Sequence, residues 1–93
     1  MVIGIAKITL HIFDCQSLKE KRRVVNSLLH RLRNRFNAAI AEIDDQDLWQ
    51  KSTIGAAVIG GSTAHASSQL QSIVDFVESQ PLANITAIET EIL

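Results

Sequence analysis

Apolar and polar residues alternate at the start of the chain. Ile8, Leu10 and Ile12 are interleaved with Lys7, Thr9 and His11, a two-residue period that predicts a half-buried strand over Val2–Phe13. The period then lengthens. Leu18, Val25, Leu29, Leu32 and Phe36 recur at steps of three, four or seven, which lays one apolar stripe along a helix beginning at Ser17. Ser17 and Glu20 have the spacing of a capping box, where hydroxyl and carboxylate satisfy the free N–H groups of a helix start. "AAIAEID" at 38–44 and "TIGAAVI" at 53–59 read as two strands joined by the polar loop "DQDLWQKS". A second helix is predicted from near Thr63, with Ala66, Leu70, Ile73, Val74 and Val77 on one face. Pro81 ends it, because proline has no N–H and clashes with the preceding turn. Ile85–Ile92 supplies a last strand, with Ile88 and Ile92 inward and Glu89 and Glu91 outward.

The order βαββαβ predicts one domain over residues 1–93, a ferredoxin-like α+β sandwich: a four-stranded antiparallel sheet with both helices on one face. Right-handed crossovers place the first and third strands in the centre. The start of the first helix and the loop between strands two and three then share one end of the sheet. Asp44, Asp45 and Asp47 are thereby expected near Lys19, Lys21 and Arg22, with Lys21 and the three aspartates as structural ion-pair candidates. On the face away from the helices, Ile3, Ile5, Ile85 and Ala87 are expected beside Lys7 and Glu89. Together with Trp49 at the hairpin's end, Ile3, Ile5 and Ile85 form a candidate partner surface, and the expected partner is a second copy packing sheet on sheet. The alternative is a modestly apolar solvent face lined by small alanines. For Trp49, capping the core or filling a dimer interface is preferred over stacking on a base.

Composition refines this. A 93-residue chain with 46% apolar content has one modest core, and burying roughly 60–65% of its unfolded surface leaves it marginally stable unless association helps. The lone Cys15 excludes an internal disulfide and fits a reducing compartment, so the expected location is cytoplasmic. "MVIGIAKITLHIF" has no basic n-region and is broken by Lys7, which reads as neither a signal peptide nor a membrane span. Net charge is only −1, but it is divided. Residues 17–36 carry seven cations against Glu20, a balance of +6, while elsewhere Lys7 and Lys51 face nine carboxylates, a balance of −7. Such a split predicts an anion-attracting surface.

At 100° per residue, Lys19, Arg22, Arg23, Asn26, His30 and Arg33 fall on one flank of the first helix, with Arg31 and Arg35 across the apolar stripe. A ladder of this kind can track phosphates, so Lys19, Arg22, Arg23, His30 and Arg33 are the candidate nucleic-acid contacts. The competing reading is a solvated face whose cations are neutralised by the acidic loop.

"SLKEKR" and "AEIDDQDLWQ", in that order and separation, with the closing "IETEIL", resemble the YlxP-like family of small bacterial proteins of unknown function, over essentially all of the chain. The resemblance implies a ferredoxin-like fold. Its genes often neighbour translation and transcription factors, which implies a ribosome- or RNA-linked role. It carries no catalytic residues with it. "FDCQ" and "GGSTAH" look individual to this chain.

Enzymatic signals are weak. His11, His30 and Cys15 lack the spacing of a zinc site, and "DDQD" lacks the glycine and distal glutamate of a calcium loop. "GGS" before the second helix lacks a full phosphate-loop pattern. Base-stacking on the sheet needs aromatics along both central strands, where this chain has Ile5, Lys7, Thr9 and "TIGAAVI". The expectation is a non-enzymatic protein without cofactor, metal or small-molecule substrate, contacting RNA or a ribosome through its first helix. The alternative is a protein–protein adaptor or structural homodimer.

Overall fold

Two antiparallel neighbours flank each central strand of a four-stranded sheet. A computed structural model describes residues 1–93, with elements β1 (Val2–Ile12), α1 (Leu18–Arg35), β2 (Ala39–Asp44), β3 (Lys51–Gly60), α2 (Thr63–Glu78) and β4 (Ala83–Ile92). The sheet order is β2-β3-β1-β4 and every pairing is antiparallel, so β1 and β3 are central and the architecture is the ferredoxin-like α+β sandwich.

The two-residue period of β1 decides which face is buried. Ala6, Ile8, Leu10 and Ile12 turn inward against Ile54, Ala56 and Val58 of β3, while α1 adds Val25, Leu28, Leu29 and Leu32. From α2 come Ala66, Leu70, Ile73, Val74 and Val77. Each buried Val, Leu or Ile among these contributes roughly 1.5–3 kcal/mol by leaving water. α2 packs over β1, β3 and β4, and α1 over β2. α2 packs closely over Gly4: a Cβ there would stand 3.0 Å from Leu70 Cδ1 and 3.2 Å from Val58 Cγ2.

Two bulges alter the open face. Thr9 lies opposite Ala87 but Leu10 lies opposite Ile85, which leaves Thr86 as an extra residue in β4. Its hydroxyl donates to the Thr9 carbonyl at 3.3 Å. The extra residue resets the alternation, and Ile85 turns towards the helices to pack against the core. The expectation that Ile85 belongs to the open face is therefore corrected. Ile43 occupies the corresponding position in β2, between Glu42 opposite Ile54 and Asp44 opposite Thr53. Its side chain lies over Gly55, where a Cβ would meet Ile43 Cγ2 at 3.0 Å. Ile3 and Ile5 remain half-buried on the open face. Ile5, Ala39, Ala41, Ile43 and Ala57 line a shallow trough of about 760 Å³ on this face.

Candidate functional site

α1 begins where Ser17 stops extending the chain. The Ser17 hydroxyl accepts the Glu20 N–H at 3.2 Å, and the Glu20 carboxylate reaches back to the Gln16 N–H at 2.8 Å, one residue beyond the reciprocal bond expected of the box. Asp14 makes the preceding turn in the left-handed region, at φ 55°, which aspartate tolerates better than most residues.

Four cations follow, and the fold divides them. Lys21 is fully buried, at 0% exposure, because it lies on the apolar stripe three residues after Leu18 and four before Val25. Its ammonium donates to the Asp45 carbonyl at 2.7 Å and the Gln46 carbonyl at 3.3 Å, and it pairs with Glu42 Oε2 at 2.7 Å. Three donors meet three acceptors, the full capacity of an ammonium. Glu42 is only 17% exposed and also accepts the hydroxyl of buried Ser52 at 2.6 Å. Glu42 reaches α1 because it follows Ile40 by two residues and shares its helix-facing side of β2.

The expected pairing of Lys21 with Asp44, Asp45 and Asp47 is corrected accordingly. The loop gives Lys21 its backbone carbonyls, not its carboxylates. Asp44 Oδ1 accepts the Asp45 N–H at 2.8 Å. Asp45, left-handed at φ 62°, turns its carboxylate to the Thr53 hydroxyl at 2.7 Å and towards Lys51 at 3.8 Å. Asp47 is exposed and takes part in neither salt bridge.

Lys19, Arg22 and Arg23 stay exposed and make no side-chain hydrogen bond or ion pair within the chain. A first-turn cation such as Lys19 costs about 0.3–1 kcal/mol against the helix dipole; Glu20 in the same turn offsets the dipole but forms no ion pair with Lys19. His30 is exposed, its Nε2 3.1 Å from Asn34 Nδ2. Arg33 is less free than the sequence suggests. Its Nε and Nη2 both donate to the Ile40 carbonyl on the outer edge of β2, the former at 3.2 Å. The guanidinium keeps its other N–H groups and its charge. On the opposite flank Arg35 lies over the Phe76 ring at 5.2 Å, which ties α1 to α2, and Arg31 donates to Gln80 in the turn just after α2.

The remaining candidates are dispersed. Burial pushes the Cys15 thiol above its usual range, nearby Glu20 adds to that, and Lys21 opposes it. His11 pairs ring to ring with Phe13, centroids 5.4 Å apart. No three His, Cys, Asp or Glu side chains converge as a metal site. Trp49 stands half-exposed at the hairpin's end.

An open-faced ferredoxin-like sandwich, with a lysine-anchored hairpin and a cationic helix flank, is the class of protein that this geometry defines. The chain belongs to the DUF503 family of proteins of unknown function, whose model matches residues 3–90. It is 39% identical over 90 residues to the uncharacterized protein YlxP of Bacillus subtilis (strain 168), covering 97% of this chain and 98% of that one.

Proposed function

We propose that this chain is a non-enzymatic accessory protein that contacts RNA or a ribonucleoprotein, in a cytoplasmic and translation-linked setting, through the basic flank of α1. The observation that carries the proposal is the separation of roles among the four clustered cations. The one cation with a carboxylate partner is buried Lys21, while Lys19, Arg22 and Arg23 face solvent without one. Arg33 and His30 extend the flank down the helix. A non-enzymatic role is favoured because Cys15 is buried with a raised thiol pKa and is poorly placed as a nucleophile.

Binding of a labelled RNA measured against salt tests this. Three to four phosphate contacts predict affinity falling linearly on log–log axes with a slope of about −2 to −3 for single strands. No binding at low salt would remove the proposal.

The open sheet face favours a second reading, a protein–protein adaptor or a homodimer. Ile3 and Ile5 are joined there by Ile43 and Ile59, both at least half exposed. Three strands of ten or eleven residues and one of six offer a face of roughly 600 Å², near the lower end of what a stable dimer buries per partner. Sedimentation velocity should show a concentration-dependent dimer that Ile5→Lys dissociates. A monomer across the micromolar range would count against this surface.

A further inference from the structure

Four exposed apolar side chains gather at the end of the sheet where α1 starts. Phe13 is 43% exposed, Leu48 47%, Trp49 52% and Leu82 54%, and they come from three separate connections. Two backbone bonds hold those connections together. The Ile12 N–H donates to the Gln50 carbonyl at 2.9 Å, and the Phe13 N–H donates to the Leu82 carbonyl at 3.0 Å. Gln50 Nε2 adds a bond to the Cys15 carbonyl at 3.1 Å, which links the Trp49 segment to the turn before α1. His11 lies against Phe13. The aromatics thus stand at the ends of the two central strands, although none occurs along their middle.

We infer that this end is a stacking platform for unpaired bases, so that the RNA met by α1 is single-stranded. The inference rests on the RNA reading above and adds the form of the nucleic acid. Charge sets the path of the strand. Asp14 adjoins Phe13, and Asp47 lies two residues from Trp49, so phosphates are repelled from the tip while neutral bases are not. The phosphates follow Lys19, Arg22 and Arg23, which begin at the same end. Exposed rings beside a cationic track suit bases splayed from a flexible strand, whereas the bases of a duplex are stacked on one another and offer no free face.

The test compares a fluorescein-labelled RNA of about a dozen nucleotides with a duplex of the same sequence, by anisotropy at low salt. The single strand should bind at least about tenfold more tightly, and it should quench the emission of Trp49, the one tryptophan. Phe13→Ala and Trp49→Ala should each weaken single-strand binding roughly five- to hundredfold, with Trp49→Phe retaining most of it. Equal affinity for duplex and single strand overturns the inference. So do aromatic variants that bind as the parent does; if Arg22→Glu still abolishes binding, the RNA reading stands without the platform. Aromatic variants that change the sedimentation coefficient and leave RNA affinity intact make the tip a protein contact and overturn it too. Absence of binding to either RNA removes both readings.

Discussion

Replacing Lys21 by methionine is expected to destabilise the fold by about 3 kcal/mol, the lower part of the range for breaking a buried pair. Methionine keeps most of the apolar stem but removes all three donors. Glu42, 17% exposed, is then left with only the Ser52 hydroxyl as a side-chain partner, and the Asp45 and Gln46 carbonyls lose theirs. Residual contact of Glu42 with water holds the loss below the upper limit. A 93-residue domain has roughly 5–14 kcal/mol in total, so the variant should unfold at a visibly lower urea concentration. Pairing Lys21→Met with Glu42→Leu should recover part of the loss, because the orphaned carboxylate goes with it. Simple additivity of the two changes would show that the pair is not coupled.

Charge reversal on the exposed flank should act in the opposite register. Arg22→Glu with Arg23→Glu should lower RNA affinity roughly a hundredfold or more, since a hydrogen bond to a charged group contributes about 1.5–3 kcal/mol. The log–log salt slope should become shallower by about 1.4 as two contacts disappear. Stability should change by no more than about 0.5 kcal/mol, because both side chains are exposed and unpaired. Lys21→Met and the arginine reversals therefore separate structure from binding within a run of three residues. Loss of stability in the reversal variant, with unchanged RNA affinity, would assign the flank to the fold.

Periodicity alone identifies most of the architecture. The alternation in β1 and the three-four spacing in both helices report which side chains face the core, because burial repeats with the backbone geometry. The anchor was legible too, though easily misread. Lys21 occupies a stripe position between Leu18 and Val25, and Glu42 follows Ile40 by two residues in a strand, so each charge falls on a core-facing site. Reading all four cations as one surface cluster hides that. Ile85 could not be placed from period, since one extra residue at Thr86 reverses everything before it and no residue type demands a bulge there.

Local pattern, by itself, determined the element order, the buried stripes, the cap at Ser17 and the concentration of positive charge in α1. Only tertiary structure decided which cation is consumed and which remain, that Glu42 and not the loop aspartates answers Lys21, and that Phe13, Trp49 and Leu82 become neighbours. The physical reason is range: periodicity and capping act within a few residues, whereas these contacts join residues from 21 to 69 positions apart through the register of strands and the direction of a turn.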